Sequence, residues 1–222
     1  MDVQNRHNLI LRYIENSVLE HIQPQKVVVV YGPRRVGKTT LINQVAAKLN
    51  EPILWLNGED LSIRDELSSL TLDKLKAVIG DHRMVIIDEA QNIDQIGLNL
   101  KIMVDQIEGI KFLVTGSSSF ELANQVGEPL VGRQWSYKLY PLAQLELGGS
   151  EFEIKQKLET RLVYGSYPEV VLATGSDDKK RILDGIIDGA LFKDVFILEG
   201  LKKPHKLVAL AKLLTMQIGY QV

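Results

Sequence analysis

The sequence predicts an α/β fold: a five-stranded parallel sheet with helices on both faces, followed by a small all-helical domain. Three observations carry this expectation. Five short apolar runs, beginning with Lys26 to Tyr31, alternate with segments whose apolar residues recur at helical spacing. Two of these runs end in residues suited to ligand chemistry, as strands do at the carboxyl edge of an open parallel sheet. Beyond Leu147-Gly148-Gly149-Ser150 no further run reads as a strand, while helical spacing continues.

In chain order, Leu9, Ile10, Tyr13, Ile14 and Val18 place a helix over Asn8 to Glu20, with Pro24 ending the segment. Arg6 and Arg12 fall within or just before it and are either contacts to the base or the phosphates or, the commoner case, arginines of an exposed face, and neither is assigned a role. The strand Lys26 to Tyr31 then runs into Gly32-Pro33-Arg34-Arg35-Val36-Gly37-Lys38-Thr39. This is the spacing of a phosphate-binding loop, and a helix marked by Leu41, Ile42, Val45 and Leu49 follows it. The loop glycines allow successive backbone N–H groups to turn inward at a helix N-terminus, which suits phosphate oxygens. Lys38 is expected on the β- and γ-phosphates and the Thr39 hydroxyl on Mg²⁺, with Thr40 counted among the nucleotide-binding residues. Arg34 and Arg35 are assigned only through the loop's backbone, since side chains at such middle positions point outward.

Pro52 to Leu56 reads as the second strand, Glu59 to Arg64 as a polar loop, and Leu67, Leu70, Leu72, Leu75, Val78 and Ile79 as one helix ended by Gly80-Asp81. Met84 to Ile87 is a buried strand that delivers Asp88 and Glu89 to its carboxyl end. Asp88 is expected to hold Mg²⁺, and Glu89 to orient and deprotonate an attacking water. A helix over Ile96, Leu100, Met103 and Ile107 closes at Gly109, and Lys111 to Thr115 forms the fourth strand. Ser117, just past its tip, either contacts the γ-phosphate or the attacking water, or caps a helix from Phe120 to Val126. Arg133 precedes the fifth strand, Trp135 to Leu139. It is either a phosphate-contacting arginine, acting in its own subunit or a neighbour's, or an ordinary surface residue.

The expected domains are 1–147, carrying the loop, and 148–203, which is helical. The latter holds one helix over Ile154, Leu158 and Leu162, a turn at Gly165-Ser166-Tyr167-Pro168, and a second helix from Ile182 to Leu191. A last helix opens near Pro204 and carries Leu207, Leu210, Ala211 and Leu214.

Composition narrows the function classes. With 26 basic and 28 acidic side chains among 222 residues, a net charge of -2 gives no global attraction to nucleic acid. The absence of cysteine removes disulfides, thiolate catalysis and cysteine-ligated zinc, and His7, His21, His82 and His205 are scattered. The N-terminal residues lack a leader pattern and no apolar run is long enough to span a bilayer, so a cytoplasmic location is expected.

Gly32 to Leu41, Ile86-Ile87-Asp88-Glu89-Ala90-Gln91, Thr115 to Ser119, Gly132-Arg133 before Tyr140-Pro141-Leu142, and Gly165 to Val170 together resemble a prokaryotic AAA+-type P-loop ATPase family. It is the archaeal-type group whose members carry a C-terminal domain of unknown function. The resemblance implies a sheet of AAA+ order, ATP as ligand, Lys38 and Thr39 on the nucleotide, Asp88 on Mg²⁺ and Glu89 as catalytic base. It favours Ser117 as a sensor and Arg133 as a phosphate contact. Family members continue through a winged-helix region into a nuclease-like domain. By that measure 204–222 is the start of an incomplete winged helix, the chain looks truncated, and a DNA or protein partner would bind through the missing part.

The function expected is Mg²⁺-dependent ATP hydrolysis coupled to motion of the helical domain, with a homo-oligomer admitted and no membrane partner. The alternative is a nucleotide-gated module that recruits DNA or protein with slow or no hydrolysis. A GTPase is disfavoured because no Asn-Lys-x-Asp occurs. A small-molecule kinase shares the loop, but Asp88-Glu89 at a strand end suits water activation better.

Overall fold

The computed structural model describes residues 9–116, 130–189, 209–210 and 213–216. The chain divides into two compact units, Met1–Leu172 and Ala173–Val222.

The first unit is organised by five parallel strands: β1 (Lys26–Tyr31), β2 (Ile53–Asn57), β3 (Met84–Asp88), β4 (Lys111–Gly116) and β5 (Gln134–Lys138). Their order across the sheet is β2-β3-β4-β1-β5. The run Lys-Val-Val-Val-Val-Tyr forms β1 because both faces of this strand are covered, so each alternate valine needs an apolar environment. Val27 and Val29 join one core with Ile87, Phe112 and Val114 from the sheet and Leu75, Leu100 and Met103 from covering helices. Val28 and Val30 join the other with Ile86, Leu113, Val18, Leu41 and Val45. Each of these fully buried valines contributes about 1.5–3 kcal/mol relative to exposure. A polar substitution at any of them would open both the sheet and a helix contact.

Among the described residues of this unit the α-helices are α1 (Glu15–Glu20), α2 (Lys38–Ala46), α3 (Leu61–Leu67), α4 (Leu72–Ile79), α5 (Ile96–Gln106), α6 (Gln144–Leu147), α7 (Glu151–Tyr164) and α8 (Pro168–Leu172). Three differences from the sequence reading have local causes. The first described helix starts at Glu15 rather than Asn8: residues 9–12 are not helical, and the Tyr13 N–H is taken at 2.8 Å by the Glu146 carboxylate. The polar stretch expected as a loop contains α3, which Asp60 caps by accepting from the Ser62 amide at 2.9 Å. The single helix expected over Leu67 to Ile79 is two: Leu70 takes a positive φ of 51°, and its N–H bonds Asn99 Oδ1 at 2.9 Å. That long-range anchor breaks the helix where apolar spacing alone runs on.

The boundary expected after Leu147 falls inside the first compact unit. Leu142 N–H donates to Ser166 O at 2.8 Å, and Tyr167 packs against the sheet core, so residues 142–172 stay fastened to the strands. The turn expected at Gly165 to Pro168 leads into the short helix α8. The second unit contains α9 (Ser176–Ile187), and residues 209–210 and 213–216 are helical. The expected helix from Phe120 to Val126, Pro204, Leu207 and Leu191 lie outside the described residues. Among the described residues no helix is long and apolar enough to cross a membrane.

Candidate functional site

Strand order brings the two chemical motifs together. β4 lies between β1 and β3, with Tyr31 level with Gly116 and Ile87 level with Val114. The loop leaving β1 and the acids ending β3 therefore emerge at the same carboxyl edge, one strand apart.

The loop passes directly into α2, with Gly37 as its N-cap at φ 96°, a left-handed conformation that costs a side-chain-bearing residue about 1–2 kcal/mol. Lys38 is 5% exposed, and its ammonium donates to Gly32 O at 3.1 Å and Pro33 O at 3.0 Å, folding back across the loop it follows. The Val36 side chain is wholly buried in the core, which pins the loop from beneath. Arg35 adopts φ 59° and sends its side chain outward, 3.4 Å from Glu169. With both groups about half exposed, that pair contributes at most about 1 kcal/mol. Thr40 is exposed on the first turn of α2.

The Thr39 hydroxyl donates to Asp88 Oδ2 at 2.9 Å, which joins the two motifs. The other carboxylate oxygen, Oδ1, accepts the Thr115 hydroxyl and, at 3.2 Å, the Glu89 amide. That amide also lies 3.2 Å from Thr115 Oγ1. Glu89 has φ 53°, an unfavourable backbone for glutamate of the kind that concentrates at functional sites. Its carboxylate accepts from Gln91 Nε2 at 2.5 Å. Gly58 packs so tightly behind it that a β-carbon there would lie 2.3 Å from Glu89 O, and its own N–H donates to Asp88 O at 2.8 Å. The end of β2 thus backs the acidic turn, and a side chain at position 58 would displace it.

A hydroxyl and a carboxylate oxygen in contact form a hard-donor pair of the kind that takes Mg²⁺ together with phosphate oxygens. Thr39 and Asp88 fit that requirement. Among the described residues no group of three or more His, Cys, Asp or Glu could hold a metal ion by itself.

One expected residue, Arg133, stands apart from this cluster. Arg133 lies at the opposite edge of the sheet: its carbonyl accepts from Val27 N–H at 2.9 Å at the start of β1, and its guanidinium bonds Asp105 at 2.5 Å. From Val27 to Tyr31 the strand rises about 13 Å, and the loop begins beyond that. Arg133 thus stands at the amino edge, bonded to Asp105, while the loop leaves the carboxyl edge. Ser117 lies outside the described residues.

Thr115 and Gln91 lie inside motifs read in the sequence but are given no role there, and Arg12 is weighed there as a base or phosphate contact against an exposed-face arginine without being assigned. Thr115 is a polar residue at a strand tip, and attention to the last strand residue rather than the serines beyond it would have found it. Arg12 carries no such signal, since helical spacing put it on an exposed face. It is 7% exposed and donates to Val36 O in the loop at 2.8 Å, to Tyr140 O at 2.6 Å and to Glu146 Oε1 at 3.0 Å. Burial pushes the Glu146 carboxyl upward, but the Tyr13 and Ala143 amides and the Arg12 guanidinium outweigh it, so its pKa lies below glutamate's ordinary value.

Comparison with known proteins places these features in context. The family model described as an AAA domain matches residues 24–148, and one described as a domain of unknown function (DUF8612) matches residues 155–222. An uncharacterized protein of Methanocaldococcus jannaschii is 27% identical over 215 residues, covering 88% of this chain and 46% of the relative. The replication factor C large subunit of Thermofilum pendens is 24% identical over 204 residues, covering 89% of this chain and 46% of its own. The chain thus spans about half the length of these curated relatives. Among solved structures, a Walker-type ATPase of Pyrococcus abyssi is similar with a TM-score of 0.57 at 17% identity, over 87% of this chain and 76% of that one. At that identity the likeness is one of fold.

Proposed function

Since the chain belongs to the AAA domain family, whose model matches residues 24–148, we propose that it binds ATP with Mg²⁺ at the loop Gly32 to Thr40 and hydrolyses it. The observation that carries this reading is the 2.9 Å bond between Thr39 Oγ1 and Asp88 Oδ2, which joins a phosphate loop to a strand-end acid pair. Loop N–H groups and Lys38 bind the phosphates. Thr39 and Asp88 hold the cation, which when bound neutralises charge on the phosphate oxygens. Glu89 accepts a proton from the attacking water, with its backbone fixed by Thr115 and Gly58. Ser117 is retained as a γ-phosphate sensor and Arg133 as a contact to a neighbouring subunit's nucleotide. Hydrolysis drives motion of the helical domain, a DNA or protein partner is engaged through the further C-terminal region that family members carry, and the protein works in the cytoplasm.

The test is a pair of variants read for ATP binding and for turnover. Lys38→Ala is expected to lose ATP binding. Glu89→Gln is expected to bind ATP with turnover reduced at least about 100-fold, in the range of a lost general base. Retained turnover in Glu89→Gln would remove the assigned base.

One observation favours a second reading, a nucleotide-gated module with slow hydrolysis: the Glu89 carboxylate is held by the Gln91 amide at 2.5 Å. Tight ATP binding with near-zero turnover in the protein alone, and turnover raised in Gln91→Ala, would select it.

A further inference from the structure

We infer that Arg12 is a positioning residue for the nucleotide loop: it locks the Val36–Gly37 peptide plane so that the Gly37 N–H faces the phosphate position. The inference rests on the nucleotide-binding reading above.

A peptide unit is planar, and in the trans form its C=O and N–H point in opposite directions. No cis peptide occurs among the described residues. The carbonyl of Val36 therefore sets where the N–H of Gly37 points. That carbonyl accepts Arg12 Nη1 at 2.8 Å in a buried bond, from the side of the chain crossed by residues 9–12. The adjoining N–H is thereby turned the other way, toward the concave side of the loop where α2 begins. Gly37 itself is free to rotate, having no side chain and a φ of 96°. A β-carbon on Gly37 would lie 3.5 Å from Arg12 Nη1, so the guanidinium sits directly behind this residue. Glycine supplies the freedom and arginine removes it again, which is the preorganisation an anion site requires.

Arg12 is itself fixed. Its Nη2 donates to Tyr140 O at 2.6 Å and its Nε to Glu146 Oε1 at 3.0 Å, while Glu146 also accepts from the Tyr13 amide at 2.8 Å and the Ala143 amide at 2.8 Å. Both side chains of the ion pair are 6% exposed. Only a planar, five-donor group can serve three acceptors in this arrangement, and a lysine cannot reproduce it. Without the guanidinium the Val36 carbonyl is left buried and unpaired, and the peptide is free to turn over, carrying the Gly37 N–H away from phosphate.

The experiment measures binding of ADP with Mg²⁺ by calorimetry, and the Gly37 amide by ¹⁵N spectroscopy. It uses the wild type, Arg12→Met, and Arg12→Met/Glu146→Gln. The double variant removes both charges, and its glutamine oxygen still accepts one of the two amides that Glu146 bonds through separate oxygens, so no uncompensated carboxylate is left if the single change loses the fold. ADP is expected to shift the wild-type Gly37 amide. Both variants are expected to bind roughly 10- to 100-fold more weakly, the value of a hydrogen bond to a charged group, and to lose that shift. A folded variant that binds ADP within about twofold of wild type overturns the inference. So does a wild type that binds ADP without any change at Gly37. A wild type that binds no ADP overturns the nucleotide reading first, and the two failures are distinguished by that measurement.

Discussion

Arg12 and Arg133 stand at opposite edges of one sheet, and the contrast between them separates what a sequence states from what a fold decides. Arg133 follows a glycine before a strand, inside a motif, and reads as a phosphate contact. It lies at the amino edge, 38% exposed, bonded to Asp105. Arg12 reads as one of many surface arginines, yet it is buried at the carboxyl edge and grips the nucleotide loop. A strand has two ends, and in a parallel sheet only the carboxyl end meets the ligand. Arg133 enters its strand, so register places it at the end of the sheet away from the loop. The partners of Arg12 lie 24, 128 and 134 residues away, separations that no local pattern encodes.

The largest expected effect tests this burial difference. Arg12→Met leaves the Glu146 carboxylate buried opposite an apolar chain, and breaking one side of such a pair costs about 3–5 kcal/mol. The double variant Arg12→Met/Glu146→Gln is expected to recover part of that loss, since no charge is left buried but one of the two amides on Glu146 loses its acceptor. Urea denaturation monitored by tryptophan fluorescence reads both, and equal stability of the single variant and the wild type would mean that the pair is not buried in solution.

A smaller effect appears as acid sensitivity. The Glu146 carboxyl is depressed below the ordinary 4.5 despite burial, which acts the other way, because the Tyr13 and Ala143 amides and the Arg12 guanidinium favour its ionised form. A depressed carboxyl contributes stability above its unfolded-state pKa and loses it as pH falls through the folded-state value. Stability at neutral pH should therefore decline in the acid range below the ordinary glutamate pKa, and Glu146→Gln should flatten that decline. Denaturation midpoints taken from neutral pH downward measure it. An unchanged acid limb in Glu146→Gln would assign the loss to other carboxylates.

These contrasts show why legibility was uneven. The strands and the loop were legible because they are local: four valines in a row demand two covered faces, and Gly-x-x-x-x-Gly-Lys-Thr fixes its own geometry. The pairing of Asp88 with the loop was legible through strand logic, and the 2.9 Å bond to Thr39 agrees with it. The break at Leu70 was not, because it depends on Asn99, whose partner could not be read from spacing. The early start expected for α1 failed for the same reason, since Glu146, not the local sequence, claims the Tyr13 amide. Polar side chains that cap, break or clamp backbone over long separations determine these details, and apolar periodicity does not see them.

The smallest effect expected is that of Arg133→Ala. Its ion pair with Asp105 is partly exposed, so the stability change should be within about 1 kcal/mol. Because Arg133 and the loop lie at opposite sheet edges, ATP binding by isolated chains should be unchanged within about twofold. Turnover then decides between the remaining roles. Unchanged turnover at all protein concentrations makes Arg133 a surface residue. Turnover lost in Arg133→Ala, and restored by mixing it with Lys38→Ala chains, requires an arginine supplied across subunits to a neighbour's phosphate. Weakened ATP binding in dilute Arg133→Ala protein would contradict the edge assignment itself, because it would require the residue to reach a loop that β1 places beyond its own length.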